Sequence, residues 1–414
     1  MRYCLIGECL SHSYSANIHK WRGLNYELKE VPREGLTDFI KEGYDGFNVT
    51  IPYKKEIIPF LDEVDESAKK IGAVNTVVRR DGKYIGYNTD IEGMRYAVSR
   101  KGIFLKDRNV MILGSGGAAC TAQALCDKEK AKSCVTVSRN GEINYENCYG
   151  LTGTEIIINA TPVGMFPNIG VSPVDLSRFN NLKGVFDCIY NPFNTALILQ
   201  AKKLGIKCSD GLPMLVKQAL EAQKLWGIKA ADDTEEIINS LYAEKLNIVL
   251  IGMPSSGKTT VGKLVAEILG KKFIDTDAEI CAATGKTPAE IIETSGEKAF
   301  RDIETETINK IAVGAGAVIA TGGGAVLRGE NVSALKANGV IFYIKRDLSL
   351  LTAENRPLSA SGGIARLYGE RKALYERAAD FIVENDGKKA DCADQIASIF
   401  KNLIYNPKDT GDKI

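Results

Sequence analysis

The sequence predicts an α/β fold in which a Rossmann-type lobe is followed by a P-loop domain with a parallel sheet. Short apolar segments alternate with helical patterns, as in parallel sheets with crossover helices. Two glycine-rich loops each follow one such segment. The loops are Gly114-Ser115-Gly116-Gly117-Ala118-Ala119 and Gly252-Met253-Pro254-Ser255-Ser256-Gly257-Lys258-Thr259. The sequence therefore predicts two nucleotide-binding parts in tandem.

Seven apolar segments are the candidate strands. They are Val110–Leu113, Cys134–Val137, Ile156–Ile158, Val185–Asp187, Ile248–Ile251, Val318–Ala320 and Val340–Ile344. Between the two groups, residues 229–245 are acidic and poor in apolar side chains, which predicts a linker and a domain boundary. The spacing of Ile237, Ile238 and Leu241 favours a short packed helix over a flexible tether.

Length and composition set the broad class. A chain of 414 residues exceeds what one hydrophobic core usually supports, so two or three domains are expected. A net charge of +1 provides no global field that would favour nucleic acid or a membrane surface. The apolar runs are too short to span a bilayer, and the first residues do not resemble a secretion signal. We expect a cytoplasmic protein.

The cysteines argue against a metal centre of the zinc type. Ten cysteines are scattered without a Cys-x-x-Cys pair, and the chain has only two histidines. In a reducing compartment such thiols serve as small apolar side chains.

The two loops predict different phosphate chemistry. Small residues in the first let backbone amides and a helix N-terminus approach a pyrophosphate, although ordinary tight turns share this pattern. The second adds a lysine for phosphates and a hydroxyl for Mg²⁺, which is a much more specific signal. The predicted cofactor-binding residues are Gly114, Ser115, Gly116, Gly117 and Ala118, and then Gly252, Ser255, Ser256, Gly257, Lys258, Thr259 and Thr260.

The choice of dinucleotide follows from the strand after the first loop. NAD sites usually place an acidic residue about 20 residues past the glycines. Here the strand ends in Ser138-Arg139-Asn140, and Arg139 suits a 2′-phosphate. NADP(H) is favoured, with Ser138 and Arg139 as binding residues. NAD use stays open, because Gly141-Glu142-Ile143 contains no second basic residue.

The first half resembles shikimate dehydrogenase over residues 1–228. The motifs that carry this resemblance include Ser13-Tyr14-Ser15, Asn48-Val49-Thr50-Ile51-Pro52-Tyr53-Lys54, Asn88-Thr89-Asp90, Asn159-Ala160-Thr161-Pro162-Val163-Gly164-Met165, Tyr190-Asn191-Pro192 and Gly211 to Gln218. The resemblance implies two lobes: a substrate lobe of about residues 1–98 plus 208–228, and a dinucleotide-binding lobe of about 99–207.

The resemblance also assigns roles. Ser13 and Ser15 would hold the shikimate carboxylate. Lys54 and Asp90 would be the catalytic pair, although a lysine followed by Lys55 and Glu56 is by itself typical of a solvated side chain. The remaining implied substrate residues are Thr50, Asn75, Tyr190 and Gln218, and the remaining cofactor residues are Asn159, Thr161 and Met165.

The second half, residues 246–404, resembles shikimate kinase, and residues 405–414 form a tail. Beyond the P-loop, the motifs are Phe273-Ile274-Asp275-Thr276-Asp277, Gly296 to Glu304, Thr321-Gly322-Gly323-Gly324, Arg356-Pro357-Leu358 and Arg371 to Tyr375. Phosphoryl transfer requires charge neutralisation and an aligned hydroxyl more than covalent help.

This second resemblance supplies catalytic residues, a clamp and a lid. Lys258 and Asp277 would be catalytic, with Asp277 orienting the substrate hydroxyl, and Thr259 with Asp275 would hold Mg²⁺. Arg301 and Arg371 match the carboxylate clamp, for which guanidinium forks are suited. Gly323 and Gly324 would approach the ring. Arg356 would be a third catalytic residue: it matches the arginine of the family's mobile lid, which includes the small residues 359–363, and would reach the transferring phosphoryl.

Together the resemblances imply a bifunctional enzyme. NADPH would reduce 3-dehydroshikimate to shikimate, and Mg-ATP would phosphorylate shikimate to shikimate 3-phosphate. Partners would be these small molecules, with no nucleic acid and no membrane, and a homo-oligomer stays open. Two alternatives remain: a quinate/shikimate dehydrogenase with broader cofactor use fused to the kinase, or one half that is catalytically silent.

Overall fold

The computed structural model describes residues 1–10, 13–229, 231–351 and 363–405. Contacts divide the chain into two compact units, Met1–Ile238 and Asn239–Ile414. The predicted catalytic residue Arg356 and most of the lid at 359–363 lie outside the described residues.

The first sheet of the first unit is mixed and six-stranded, in the order β2-β1-β3-β5-β6-β4. Its core packs phenylalanine, tyrosine and aliphatic side chains on one face. Strands β3, β5 and β6 pair antiparallel, and the remaining pairs are parallel. The elements are β1 (Tyr3–Gly7), α1 (Ser15–Trp21), β2 (Tyr26–Glu30), α2 (Leu36–Lys41), β3 (Gly46–Val49), β4 (Glu63–Val64), α3 (Glu66–Ile71), β5 (Thr76–Arg80), β6 (Lys83–Tyr87) and α4 (Asp90–Arg100).

The second sheet is parallel and five-stranded, in the order β11-β10-β9-β7-β8, with apolar clusters on both faces. The register aligns Leu113 with Val137 and Asn159, and Asn159 with Asp187. The residues that follow these strands therefore share one edge. The elements are β7 (Asn109–Leu113), α5 (Gly117–Lys128), β8 (Ser133–Val137), β9 (Ile156–Asn159), β10 (Gly184–Asp187), α6 (Ala196–Lys203), β11 (Lys207–Ser209) and α7 (Leu212–Leu225).

Helix α7 returns to the first sheet, where an aromatic cluster fixes it. The Trp226 Nε1 donates to the carbonyl of Val77 over 3.0 Å. His19 stacks on Tyr26 at 3.9 Å between ring centroids, and its Nδ1 lies 2.9 Å from Gln223 Nε2. Burial lowers the pKa of His19 to about 3, so this imidazole is neutral.

The second unit contains a parallel sheet in the order β13-β14-β12-β15-β16. Leu250 and Asp275 both align with Ala320, so the residues after β12, β13 and β14 meet at one edge. The elements are α8 (Thr234–Lys245), which begins in the first unit, β12 (Asn247–Ile251), α9 (Lys258–Leu269), β13 (Lys272–Asp275), α10 (Thr276–Thr284), α11 (Pro288–Ala312), β14 (Ala317–Ala320), α12 (Gly329–Ala337), β15 (Gly339–Lys345), α13 (Ile364–Ala378), β16 (Phe381–Glu384) and α14 (Lys389–Tyr405).

Helix α8 occupies most of the predicted linker, and the boundary between the units falls within it. In the first unit, Arg100 donates to both carboxylate oxygens of Glu235. In the second, the buried ammonium of Lys271 donates to the carbonyls of Ala243 and Leu246. Both ends of the helix are thus held by side chains, and the prediction of a packed helix is confirmed.

Candidate active sites

The first site is built around a direct contact between Lys54 and Asp90. Lys54 follows β3, and Asp90 is the first residue of α4. Lys54 Nζ lies 2.6 Å from Asp90 Oδ2, and both side chains are largely buried. The second carboxylate oxygen of Asp90 accepts a hydrogen bond of 2.9 Å from Asn75 Nδ2. An ammonium beside a shielded carboxylate can pass a proton to and from a nearby oxygen.

A buried amide network orients this pair. Asn75 Nδ2 also donates to Gln218 Oε1 over 3.1 Å, and Asn75 Oδ1 accepts from the amide of Thr89 over 2.7 Å. Gln218 lies on α7, so its hydrogen bond with Asn75 joins residues that are 143 positions apart in the sequence. Thr89 and Thr76, whose hydroxyls lie 3.0 Å apart, complete the network. The sequence did not single out these two threonines, although Thr89 stood within the quoted Asn88-Thr89-Asp90 motif.

A second group of predicted substrate residues surrounds Ser13. Ser13 Oγ accepts from the amide of Ser15 over 3.2 Å. Tyr190 contacts Ser13 through its hydroxyl, and burial raises the pKa of this tyrosine. Thr50 is half-buried, and its amide donates to Ile6. No direct hydrogen bond among these described residues joins them to Lys54, so they form a separate part of the predicted substrate site.

The glycine-rich loop lies next to the lysine. Gly117 begins α5, and a methyl group added to it would lie 3.3 Å from Lys54 Cβ. Above Gly116, by contrast, a Cβ would meet no atom within 4 Å, and Ser115 is exposed. The N-terminus of α5 therefore offers open backbone amides beside the Lys54–Asp90 pair. This arrangement fits a pyrophosphate, with the rest of a dinucleotide extending toward the pair.

The remaining predicted cofactor residues line the same sheet edge. Ser138 and Arg139 follow β8, and Arg139 is exposed with no hydrogen bond or ion pair to the described residues. The hydroxyl and amide of Thr161 donate to Asn159 Oδ1 over 2.7 and 3.1 Å. Met165 is also exposed, although its side chain is apolar. A free guanidinium at this edge suits a phosphate group.

The second site begins at the P-loop. Lys258 Nζ donates to the carbonyls of Gly252 and Met253 over 2.9 and 2.8 Å, so the ammonium lies over the loop. Ser256 is buried, and its carbonyl accepts from Asn385 Nδ2 over 2.7 Å, which ties the loop to the end of β16. Ser255 is partly exposed, and Thr260 is exposed.

The predicted magnesium residues are in contact. Thr259 Oγ1 donates to Asp275 Oδ2 over 2.8 Å, while Asp275 Oδ1 accepts from the backbone amides of Asp277 and Ala278. Asp275 thus caps α10 and faces the P-loop hydroxyl at once. The Thr259 hydroxyl and the Asp275 carboxylate are oxygen ligands of the kind that suit Mg²⁺, an ion that keeps several of its water molecules when it binds to proteins.

Acidic and basic side chains converge on the turn after β14. A Cβ on Gly322 would lie 2.8 Å from Asp277 Oδ1 and 2.9 Å from Glu304 Oε1. Arg301 Nη1 donates to Glu304 Oε2 over 2.7 Å. Burial raises the pKa of Glu304, and Arg301 opposes this shift. The sequence did not assign Glu304 a role, although its i, i+3 spacing from Arg301 on a helix was visible.

The two predicted clamp arginines meet at the neighbouring glycines. Arg371 Nη1 donates to the carbonyl of Gly323 over 3.3 Å, and a Cβ on Gly324 would overlap the guanidinium of Arg301. Both guanidiniums are largely buried. Two planar cations beside Asp277 can hold a small carboxylic acid whose hydroxyl faces the P-loop.

These features define a two-part enzyme, an oxidoreductase with a dinucleotide loop joined to a P-loop phosphotransferase. Family models described as shikimate dehydrogenase substrate binding domain and shikimate kinase match residues 5–77 and 254–401. The chain belongs to the shikimate dehydrogenase family and carries a shikimate kinase domain. Both resemblances, the α/β fold and the enzyme class are confirmed.

Relatives were found over the N-terminal part. Shikimate dehydrogenase (NADP(+)) of Methanocaldococcus jannaschii is 40% identical over 272 residues, covering 58% of this chain and 96% of the relative. A crystal structure of shikimate dehydrogenase 1 from Peptoclostridium difficile has a TM-score of 0.55 and 35% identity, with 58% and 97% covered. A Thermus thermophilus enzyme in complex with NADP(H) and shikimate has a TM-score of 0.52 and 29% identity, with 58% and 99% covered.

One further finding concerns membranes. Within the described ranges, no helix combines the length and apolar character that crossing a bilayer requires.

Proposed function

We propose that the chain catalyses two successive steps: reduction of 3-dehydroshikimate to shikimate with NADPH, and phosphorylation of the shikimate 3-hydroxyl with ATP and Mg²⁺. The observation that carries the first step is the Lys54–Asp90 contact beside the N-terminus of α5. For the second, it is the contact of Thr259 with Asp275, which in turn accepts from the amide of Asp277.

In the first site, the chain supplies binding and proton transfer. When bound, NADPH supplies the hydride. Lys54 Nζ would donate a proton to the C3 oxygen as it gains negative charge, and Asp90 Oδ2 would stabilise the ammonium form. Asn75 would hold the carboxylate of Asp90 in place, and Gln218 would bind the ring from α7. Ser13 and Ser15 would hold the substrate carboxylate at the other end.

In the second site, the chain supplies charge and alignment. When bound, Mg-ATP supplies the phosphoryl group. Lys258 Nζ would leave the loop carbonyls for the phosphate oxygens, and Asp277 would orient the 3-hydroxyl for in-line attack. Arg301 and Arg371 would hold the carboxylate, so that the ring presents a single hydroxyl to the P-loop.

One incubation tests both steps. The full chain is mixed with 3-dehydroshikimate, NADPH and Mg-ATP, and shikimate 3-phosphate is followed by mass spectrometry. We expect one NADPH and one ATP to be consumed for each product. Omitting ATP should leave shikimate as the product, and omitting NADPH should prevent both products. Failure to make shikimate would disprove the first step, and shikimate accumulating with ATP present would disprove the second.

Broader cofactor or substrate use is the rival function. The observation that favours it is Glu142, an exposed acid three residues past Arg139. The ratio of kcat/KM values for NADPH over NADH, and for shikimate over quinate, decides between the two. Ratios near one would favour the broader enzyme.

A further inference from the structure

Asp187 is a buried carboxylate that the proposed mechanism does not use. It ends β10, and its side chain has no exposure to solvent. Oδ1 accepts from Asn159 Nδ2 over 3.0 Å and from the amide of Ile189 over 3.1 Å. Oδ2 accepts from Thr195 Oγ1 over 2.6 Å. All three donors are neutral, and no lysine or arginine among the described residues pairs with this carboxylate.

Keeping this carboxyl in the interior is costly. Burial raises its pKa to about 7, and the nearby Asp210 adds to the shift, whereas the three hydrogen bonds oppose it. Buried acids are retained where their hydrogen bonds hold other groups in place. The groups held here are Asn159, at the end of β9, and Thr195, which caps α6.

Asn159 links Asp187 to the dinucleotide loop. Because its nitrogen donates to Asp187, its oxygen must face Thr161, whose amide and hydroxyl both donate to it. An amide without such a partner can rotate and present either atom. The Thr161 turn touches the glycine-rich loop: a Cβ on Gly114 would lie 2.9 Å from the Ala160 carbonyl and 3.0 Å from Thr161 Cγ2.

We propose that Asp187 is a positioning residue for the dinucleotide: by fixing the orientation of the Asn159 amide, it holds the 159–165 turn against the glycine-rich loop. It acts through Asn159 and touches neither cofactor nor substrate. This inference rests on the proposed NADPH-binding function of the first unit.

The test measures NADPH binding directly. Trp21 and Trp226, the two tryptophans of the chain, both lie in the first unit and allow energy transfer to bound NADPH. In the full chain, Asp187→Leu, which removes both acceptor oxygens, should weaken NADPH binding about tenfold, the scale of one lost hydrogen bond. KM for NADPH should rise, while kcat at saturating NADPH should change less than KM. Asp127→Asn, which removes an exposed carboxylate from α5, should bind as the wild type does.

A conservative variant separates positioning from loss of packing. Asp187→Asn keeps one oxygen to accept from Asn159 Nδ2 and from the amide of Ile189, and its nitrogen faces Thr195 Oγ1, a hydroxyl that can also accept. We expect Asp187→Asn to bind NADPH nearly as tightly as the wild type. Kinase activity of each variant serves as an internal check that the chain is intact.

The outcomes are distinct. Wild-type affinity in Asp187→Leu would overturn the inference, and so would a loss of affinity in Asp187→Asn as large as that in Asp187→Leu. A wild-type chain that fails to bind NADPH would disprove the proposed function of the first unit instead. If Asp187→Leu prevents folding, Asn159→Ala decides in its place: weaker NADPH binding supports the inference, and wild-type affinity refutes it.

Discussion

Lys54 shows that the role of a residue depends on its surroundings in the fold and not on its sequence neighbours alone. In the sequence it stands beside Lys55 and Glu56, as solvated lysines often do. In the structure it is largely buried against Asp90, while Lys55 is exposed. The sequence does not reveal this difference, because Asp90 lies 36 residues after Lys54. Asn75, whose amide orients Asp90, belongs to a third segment.

Replacing Lys54 should remove reduction and spare phosphorylation. Lys54→Ala should lower the dehydrogenase kcat by about 10² or more, the effect of losing a proton-transfer group. Steady-state rates of NADPH oxidation measure this, with Lys55→Ala as the matched control. The acid/base assignment is wrong if Lys54→Ala reduces 3-dehydroshikimate at the wild-type rate.

We expect Arg139 to determine the preference for NADPH over NADH. Its free, exposed guanidinium is available for a 2′-phosphate, so Arg139→Ala should weaken NADPH binding by about 1.5–3 kcal/mol and leave NADH nearly unchanged. Titrations with both cofactors give the two dissociation constants. Equal losses for NADPH and NADH would mean that the residue supports the loop and not the phosphate.

We expect the buried carboxyl of Asp187 to make the stability of the first unit depend on pH. The pKa of Asp187 rises from 3.8 to about 7 on folding, so between these pH values the unfolded chain has released this proton and the native chain retains it. This carboxyl therefore lowers stability as pH rises through that window and has no further effect above it.

Asp187→Asn removes that titration. The free energy of unfolding of the wild type minus that of the variant should fall between about pH 4 and 7 and then stay constant. Urea unfolding followed by tryptophan fluorescence reports on the first unit, where both tryptophans lie. A difference that is independent of pH would contradict the raised pKa.

At the scale of elements, α11 is two helices joined at a single glycine. Thr287 caps its start through a reciprocal pair with Glu290, and Gly296 interrupts it at φ 86 and ψ 161. Only glycine adopts this backbone region without strain. The interruption sets the direction of the second segment, which carries Arg301 and Glu304 into the second site.

Gly296→Ala should therefore damage both stability and substrate binding. We expect the second unit to lose about 1–3 kcal/mol, the cost of a side chain in that region, and KM for shikimate to rise. Loss of kinase activity in urea gives the stability change. Gly369→Ala, on α13 and also in open space, should be neutral or stabilising. Similar effects from both substitutions would show that the interruption at 296 is unimportant.

Sequence patterns predicted parallel strands well and the mixed sheet poorly. All seven apolar segments became strands, because strands covered on both faces are continuously apolar. Strands β1 to β6 were not assigned: β2 is an edge strand with mostly exposed side chains, and β4 has only two residues. The two glycine-rich loops, and Lys258 within the second, could be recognised as local motifs. Glu304, Thr89 and Asp187 matter through contacts between distant segments, and the roles given to all site residues remain predictions.

At the scale of the whole molecule, the residues predicted for the two reactions belong to separate units. Shikimate is a small, freely diffusing acid, and proximity in one chain does not prevent its escape into solvent. We therefore expect two independent catalysts joined by fusion.

Mixing two inactivated chains tests this independence. With Lys54→Ala and Asp277→Asn chains, every shikimate must leave one molecule to reach another. The lag before shikimate 3-phosphate appears should match that of an equal number of wild-type active sites. A clearly shorter wild-type lag that persists when a separate shikimate kinase competes for the intermediate would show channelling.

The stacking of His19 on Tyr26 has a practical consequence. His19 is one of two histidines and stays neutral well below the pH of any enzyme assay. Its imidazole signals in an NMR spectrum should not move across the neutral range. They would shift only if the packing of α1 against α7 changed, since Gln223 on α7 holds the ring. The molecule thus contains its own unlabelled spectroscopic probe of that contact, and a histidine-directed reagent should leave His19 unmodified as long as that contact is intact.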